Sequence, residues 1–342
     1  FLHDAAIVEH KGTLFAAYRR RNLVVAYNAA QSTQTGSWEV PSPGALAARP
    51  DGALVLVADG TLSLLRDGKL SALATDHLDR PKGLALDGAG NICVANWGAL
   101  QNVSIFSTEG KYLKSIGVAG GRPRVGAYDP AGMLNPKGIA IDAAGRLWVT
   151  EASEAPKRIS VWNVQTGALE KEFFGAAHYS ASIWMDPEHP DEVYCDNVFW
   201  KIDLDRKTGY PKSTVWRGRD PNSPGLYGTH GMGFKMFTAA NGRQYGWGND
   251  EHLAAVLSVR DGDVMKPLLA FFWTYAQKKY IGYPIAMDTG RYPDLGTFIW
   301  VDRNHDQILQ EPEIASAAAL PAECAKLYFR GFACVDKDLN IW

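Results

Sequence analysis

Residues 302–313 form the stretch of this chain whose residue types and spacing are best suited to chemistry. Oxygen-bearing side chains stand at positions 1, 3, 5, 9 and 12 of the stretch, and the backbone carbonyl of Ile308 falls at position 7. Hard divalent cations are bound in proteins by oxygen atoms of this kind. The stretch is therefore a candidate cation-binding loop. Its side-chain donors are Asp302, Asn304, Asp306, Gln310 and Glu313.

The spacing resembles the twelve-residue Asp-x-Asn-x-Asp loop of EF-hands and dockerin-like modules. That resemblance implies a calcium site closed by Glu313 as a bidentate carboxylate. The chain departs from the pattern at Gln307, where the family has glycine, and Phe298–Val301 before the loop reads as a strand. Glutamine reaches the left-handed conformation at a cost on the order of 1 kcal/mol. The alternative is a polar turn held by Asx hydrogen bonds. A bound calcium is expected to be structural rather than catalytic.

Histidines near predicted strand ends are a second candidate site. Converging neutral imidazoles at His178, His230 and His252 could hold Zn²⁺ or Mn²⁺. The alternative is that they are ordinary loop histidines, because no fixed metal motif such as His-Glu-x-x-His occurs. In an enzyme, such a metal would stabilise a carboxylate or enolate oxyanion. The candidates for proton transfer would then be Lys82, Lys137 and Tyr283.

The elements that would position these residues are recognised from a repeat. Pro81–Gly117 is written a second time as Pro136–Gly175. Each copy begins with Pro-Lys-Gly and a hydrophobic-x-hydrophobic-Asp run, and continues through a glycine turn into three further β-rich runs. Four short strands separated by tight turns, in a unit of roughly forty residues, describe one propeller blade.

The whole chain is predicted to be all-β, a single β-propeller domain of four-stranded blades. Seven blades are expected if the last strands close the ring with the first, and eight if further residues complete it. Glu311–Leu320 is the only helix-like stretch. Because the chain ends inside a blade by pattern, we expect it to belong to a longer chain with other domains. The predicted blades span residues 5–40, 45–74, 81–117, 136–175, 179–218, 229–273 and 282–320, with a partial blade at 331–342.

The propeller register brings two sets of residues to the rim of the central channel. Residues just before each first strand form one set, which includes Lys82, Lys137 and Tyr283. Residues just after each second strand form the other, and we expect them to bind a ligand. The second set includes Asn96, Glu151, Asn197, Asn249 and Asp250.

Composition and cysteine usage narrow the classes of partner. The chain has 35 basic and 37 acidic residues and a formal charge of −2, which argues against a nucleic-acid partner. No apolar run approaches the roughly 18–20 residues of a membrane span. Cys93 and Cys195 are expected to be buried thiols. Cys324 and Cys334 either close a disulfide or remain two free thiols.

The repeat, with its Pro-x-Gly, hydrophobic-x-hydrophobic-Asp and Gly-x-hydrophobic-aromatic-Val elements, resembles the NHL-repeat β-propellers, a group close to the gluconolactonase-like propellers. The resemblance is carried by Pro81–Gly175 and extends more weakly over Tyr179–Gly218 and Gly282–Trp300. It is similar in particular to large secreted bacterial proteins, which implies a periplasmic, cell-surface or extracellular location. It does not imply one activity, because such propellers serve as lactonases, lyases and pure binding modules.

Two functions from different classes remain open on the sequence. The first is a secreted binding or scaffolding module that holds a carbohydrate or another small polar ligand on its top face, with calcium stiffening one loop. The second is a metal-dependent lyase or lactonase acting at a histidine-lined channel. The lack of a compact catalytic motif favours the first, and the placement of the histidines favours the second.

Overall fold

In the computed structural model, more than half of the described residues lie in β-strands. Apart from two 3-10 turns, Arg19–Arg21 and Glu311–Glu313, all regular structure in the described residues is β, as the repeat predicts. Among these residues there is no helix whose length and apolar character would let it cross a membrane. The described residues are 5–152, 156–175, 183–187, 189–195, 197–215, 235–249, 254–273, 297–308, 310–316 and 334–342.

Contacts divide the chain into two compact units. Unit 1 comprises residues 1–122, 129–153 and 157–174, and unit 2 comprises residues 123–128, 154–156 and 175–342.

Unit 1 is built from four antiparallel sheets, each of four strands in sequence order. This is the strand order of a propeller blade. The first sheet contains β1 (Ala5–His10), β2 (Thr13–Tyr18), β3 (Leu23–Asn28) and β4 (Thr33–Glu39). The second contains β5 (Pro43–Ala48), β6 (Leu54–Ala58), β7 (Thr61–Arg66) and β8 (Lys69–Ala74). The third contains β9 (Pro81–Leu86), β10 (Ile92–Asn96), β11 (Val103–Phe106) and β12 (Tyr112–Ile116). The fourth contains β14 (Pro136–Ile141), β15 (Arg146–Glu151), β16 (Lys157–Asn163) and β17 (Leu169–Gly175).

An aspartate closes the first hairpin of each copy of the repeat. In the second copy, the Asp142 carboxylate accepts the backbone N–H groups of Ala144 and Arg146 at 3.0 and 2.9 Å, and Gly145 takes the left-handed conformation at φ +74°. The indole N–H of Trp148 also donates to this carboxylate, at 2.9 Å. These donors hold the pKa of Asp142 well below its usual range. The Asp therefore fixes the hairpin turn, because its short side chain replaces missing backbone partners.

Apolar cores lie between successive sheets of unit 1. Alternation along the strands directs one set of side chains to each face, so every inner sheet contributes to two cores. Leu56 belongs to the core between the first two sheets, and Ile92 to the core between the second and third. Trp162 and Cys93 belong to the core between the third and fourth. Burial raises the pKa of the Cys93 thiol to about 12, so it is a packing residue rather than a nucleophile, as predicted.

Unit 2 contains a five-stranded and a six-stranded antiparallel sheet. In strand order, the first contains β13 (Gly126–Ala127), β21 (Thr208–Thr214), β20 (Val198–Asp203), β19 (Glu192–Cys195) and β18 (Ile183–Met185). The second contains β22 (Lys235–Thr238), β23 (Gln244–Asn249), β24 (Ala254–Asp261), β25 (Val264–Trp273), β26 (Thr297–Val301) and β27 (Ile314–Ser316).

Two features of the six-stranded sheet differ from the sequence pattern. β25, the last strand of one predicted blade, pairs directly with β26, which belongs to the next predicted blade. The helix-like stretch from Glu311 is a single 3-10 turn followed by strand β27, because Ile314–Ser316 pairs with β26. The number of blades stays a prediction.

A charged network joins the two sheets of unit 2. Glu192 on β19 is buried and accepts Lys212 Nζ at 2.9 Å and an Arg260 guanidinium nitrogen at 2.6 Å. Arg260 also donates to Gln244 at 2.8 Å, and Gln244 donates to the buried Asp186 at 2.9 Å. Burial alone would raise the pKa of Glu192, but the bond from Lys212 and the charge of Arg260 outweigh it and lower that pKa.

We expect Glu192→Gln to reduce the free energy of unfolding by about 1–3 kcal/mol at pH 7, because it removes charge-assisted hydrogen bonds. A carboxyl group whose folded pKa is lowered stabilises the protein above its unfolded pKa, and that stability is lost as pH falls through the folded value. The gap between parent and variant should therefore close as pH falls below about 4.5. Urea denaturation at several pH values measures it. Asp205→Asn, at an exposed site, is the control, and a gap that persists at acid pH would contradict the expectation.

Candidate metal centre

The candidate cation loop connects β26 to β27 in unit 2. The strand before it is anchored by Trp300, whose side chain is fully buried, and by the N–H of Asp302, which donates to the Leu268 carbonyl at 2.9 Å. The 3-10 turn Glu311–Glu313 reverses the chain at the other end, with the Glu313 N–H donating to the Gln310 carbonyl at 3.0 Å. Both ends of the loop are therefore held by the sheet.

Three carboxylates of the loop converge. One oxygen from each of Asp302, Asp306 and Glu313 lies within 4.8 Å of the others, and Asp302 and Glu313 are buried. Calcium binds oxygen at about 2.3–2.6 Å, so two of its ligands lie at most about 5 Å apart. The three carboxylates therefore fit around one calcium ion.

Glu313 is held in place by hydrogen bonds to both of its carboxylate oxygens. One oxygen accepts the backbone N–H groups of Arg303 and Asn304 at 2.9 and 3.2 Å, and the other accepts the Trp300 indole N–H at 3.1 Å. Carboxylate oxygens can accept more than one partner, so these bonds leave capacity for a cation. The bonds orient Glu313 toward the start of the loop before any cation binds.

Gln307 stands where the EF-hand loop has glycine, and it adopts the backbone conformation that this position requires. Gln307 adopts a left-handed conformation at φ +61°, and His305 does so at φ +63°. The N–H of Gln307 points to an Asp302 carboxylate oxygen at 3.4 Å. The turn that the family makes with glycine is therefore made here by a glutamine at the expected position.

The amide residues of the loop are close to the carboxylate cluster. The Asn304 side-chain amide donates to Asp306 at 3.1 Å and to Gln310 at 3.3 Å. Asp306 also accepts the backbone N–H of Ile308 at 2.8 Å, and its own N–H donates to the Asn304 side-chain oxygen at 3.0 Å. These are the Asx bonds of the alternative interpretation. They leave the carboxylate cluster able to bind a cation, because a carboxylate oxygen can accept more than one partner.

The buried end of the cluster is electrostatically costly without a cation. Burial raises the pKa of Asp302, and the neighbouring charges of Glu313 and Asp306 raise it further. A divalent cation would offset both effects, since it supplies the opposite charge at the point where the three carboxylates meet. The donor set, all oxygen, fits calcium rather than a thiophilic metal.

The predicted ligand residues of unit 1 are buried. Asn96 is fully buried, with its side-chain oxygen accepting the Asp79 N–H at 3.0 Å and its amide donating to Ser104 at 3.0 Å. Glu151 has a carboxylate with 0% exposure that accepts bonds from two arginines and a backbone N–H. Their assignment to ligand binding stays a prediction.

Of the predicted ligand residues in unit 2, Asn197 is the one whose side chain is described. It is left-handed at φ +68°, and its side-chain oxygen accepts the Tyr194 hydroxyl at 3.2 Å. Asn249 ends strand β23, and Asp250 lies outside the described residues.

The catalytic and transition-metal candidates are only partly described. Lys82 and Lys137 are the second residues of strands β9 and β14 of unit 1. The remaining candidates lie outside the described residues, as does Cys324, so a disulfide with Cys334 also stays a prediction. These candidates are Tyr283, His178, His230 and His252.

A buried ion network in unit 1 was not predicted. Glu151 pairs with Arg122 and, at 2.9 Å, with Arg158, whose Nε lies 2.7 Å from Glu172. The Leu134 N–H donates to Glu151 at 3.1 Å. The Arg122, Glu151 and Arg158 side chains are all at most 1% exposed. The signal in the sequence that could have indicated this network is the presence of charged residues, Arg158 and Glu151, within apolar β patterns.

The network fastens the connection between the third and fourth sheets. Arg158 donates to the carbonyls of Pro130 and Gly132 at 2.5 and 2.7 Å. Both carbonyls belong to the turn-rich segment before β14, which has no helix or long strand of its own. Buried backbone carbonyls need partners, and here the arginine supplies them.

Comparisons with known proteins give fold similarity without a family. No protein-family model matches the chain, and no curated protein matches its sequence. Similar solved structures include hydrazine synthase of Kuenenia stuttgartiensis (13% identity, TM-score 0.40, 75% of this chain and 75% of that chain). They also include a streptogramin B lyase (13%, 0.39, 77% and 81%) and a gluconolactonase from Xanthomonas campestris (18%, 0.38, 55% and 66%). The last two are β-propeller proteins. At these identities and TM-scores, the similarity says nothing about activity.

Proposed function

We propose that this protein is a secreted β-propeller binding module whose loop at residues 302–313 is stiffened by calcium. The sheets of four strands in sequence order support the propeller, with seven or eight blades. A carbohydrate or another small polar ligand is proposed as its partner, and the residues assigned to that ligand from the sequence are Asn96 and Glu151 in unit 1 and Asn197, Asn249 and Asp250 in unit 2.

The observation that carries the proposal is the meeting of Asp302, Asp306 and Glu313 within 4.8 Å. A polar turn needs the Asx bonds of Asn304 and Asp306, but it does not need a buried glutamate brought back to the start of the loop. Three like charges at this spacing repel one another, whereas calcium binds such a set. Because the oxygen donors can enclose the cation, its role is structural. Extracellular modules bind calcium with dissociation constants of about 10⁻⁴–10⁻³ M, which suits a secreted protein.

Calcium titration of the chelator-treated protein by isothermal calorimetry tests the proposal. We expect about one saturable calcium per chain, and a gain of about 2.7 kcal/mol in unfolding free energy at a calcium concentration one hundred times the dissociation constant. Asp306→Asn and Glu313→Gln should each weaken calcium binding about tenfold or more, because affinity depends on the charge of the ligands.

The matched control is Asp142→Asn, which removes the same charge from an Asx turn that lies in unit 1. It should leave calcium binding unchanged. If the parent protein shows neither saturable heat nor a thermal shift with calcium, the polar-turn interpretation holds and the calcium site is rejected.

The alternative proposal, a metal-dependent lyase or lactonase, depends on His178, His230 and His252. Elemental analysis by mass spectrometry separates the two. A stoichiometric zinc or manganese that is lost in His230→Ala would favour the enzyme, and calcium alone would favour the binding module.

A further inference from the structure

The starts of two neighbouring strands of unit 1 bring cationic side chains together. β9 and β14 begin with Pro-Lys-Gly, and their first residues pack closely: a Cβ added at Gly83 would overlap the Lys137 carbonyl. A glycine is therefore needed at this contact. The close approach places the backbone segments that carry Lys82 and Lys137 side by side.

Two arginines belong to segments next to the start of β9. Arg80 directly precedes β9, and its carbonyl accepts the Trp97 N–H at 3.4 Å. Arg19, in the 3-10 turn between β2 and β3, donates from Nε to the Ser42 hydroxyl at 3.1 Å. Ser42 immediately precedes β5, which packs against β9. We call Arg19, Arg80, Lys82 and Lys137 the cation cluster.

Lys82 is the half-buried member of the cation cluster. Its ammonium nitrogen lies over the Trp97 ring, 5.0 Å from the ring centre. Burial lowers the pKa of Lys82, and the charges of Arg19, Arg80 and Lys137 lower it further.

The cation cluster has no carboxylate partner in the described part of the chain. No described aspartate or glutamate forms an ion pair with any of its four members, whereas Arg66 pairs with Asp51 and Arg146 with Asp142 in the same unit. Like charges without a counter-ion destabilise a fold by mutual repulsion. The fold nevertheless holds these cations together.

We propose that the cation cluster binds the anionic group of a small ligand, a carboxylate or a phosphate. Lysine and arginine form strong charge-assisted hydrogen bonds with both groups. A small ligand fits better than a polyanion, because the whole chain has a net charge of −2. This inference rests on the proposed binding function, since it names the chemistry of the ligand.

The test is calorimetric titration of the whole chain with sodium phosphate and with sodium glucuronate at low ionic strength, and with neutral glucose for comparison. We expect saturable binding of at least one anion, and none of glucose. Lys82→Gln and Lys137→Gln should each weaken anion binding about tenfold, as expected for the loss of a charge-assisted bond. Lys69→Gln, which removes an exposed lysine on the β7–β8 hairpin, should have no effect.

The melting temperature, measured with and without anion, is a second test of the cation cluster. Without anion, Lys137→Gln should raise the melting temperature slightly, because it removes repulsion from Lys82, and it should reduce the further rise caused by phosphate. Binding of phosphate alone would identify a phosphorylated ligand, and binding of glucuronate alone an acidic sugar. Either result supports the inference.

Equal binding by the parent and both lysine variants, or no saturable binding of either anion, would overturn the inference. Asp306→Asn keeps the cation cluster and removes a calcium ligand in unit 2. We therefore expect Asp306→Asn to bind the anion as the parent does, while its calcium binding weakens. If the parent binds the anion but no calcium, the calcium proposal has failed, and if it binds calcium but no anion, the anion inference has failed.

Discussion

Glu151→Gln is expected to lower the free energy of unfolding of unit 1 by about 3–5 kcal/mol. The substitution keeps the shape of the side chain and removes its charge. Arg122 and Arg158 then remain in the interior with one carboxylate fewer to balance them, because the Glu151 side chain is 0% exposed and touches both. Chemical denaturation followed by circular dichroism measures the loss.

Controls separate this buried charge from an ordinary surface charge. Glu170→Gln, on the exposed side of β17, should change stability by no more than about 0.5 kcal/mol. Adding Arg122→Met to Glu151→Gln should recover part of the loss, since Arg158 then balances Glu172. A double-mutant cycle gives the coupling energy. A loss for Glu151→Gln no larger than that for Glu170→Gln would show that the carboxylate is not buried among the arginines.

Gly121→Ala should cost more than Gly120→Ala, although the two glycines are adjacent. Both are left-handed, at φ +69° and +84°, so alanine costs about 1–2 kcal/mol of backbone strain at either position. A Cβ at Gly120 meets nothing within 4 Å, whereas a Cβ at Gly121 overlaps the Met133 carbonyl and the Gln101 side chain. Overpacking adds about 1–3 kcal/mol. Thermal unfolding of the two variants measures the difference.

The Gly121 effect should be coupled to the buried ions. The Met133 carbonyl that a Cβ at Gly121 would displace also accepts the Arg122 N–H at 3.1 Å, and the Arg122 side chain reaches Glu151. The losses in Gly121→Ala and Glu151→Gln should therefore add to more than the loss in the double variant. Strict additivity would contradict a shared structural cause, and equal losses for the two glycines would contradict the steric overlap.

Features that depend on near neighbours in the chain were predictable. The repeat predicted the strands observed from Pro81 to Ile116 and from Pro136 to Gly175, because alternation, glycine turns and Asp turns act over a few residues. The same is true of the left-handed conformation of Gln307, which the spacing of the loop predicted. The oxygen donors of that loop were also visible in its spacing.

Features that depend on the packing of distant segments were not predictable. Asn96 and Glu151 end second strands, and the structure buries both against donors and acceptors from other segments of unit 1, which the sequence pattern did not show. Likewise, the pairing of β25 with β26 crosses a boundary between predicted blades. A linear pattern shows which face of a strand is apolar, but it does not show which segment covers a polar residue at the end of that strand.

The sequence by itself determined the all-β character, the four-stranded unit and the oxygen-rich loop. The tertiary structure decided that Asp302, Asp306 and Glu313 meet, that Arg122 and Arg158 enclose Glu151, and that the starts of β9 and β14, which carry Lys82 and Lys137, pack together. The physical reason is the distance along the chain between the residues that interact. Turns and alternation arise from interactions within a few residues, whereas burial and charge pairing arise from segments that only the packed sheets bring together.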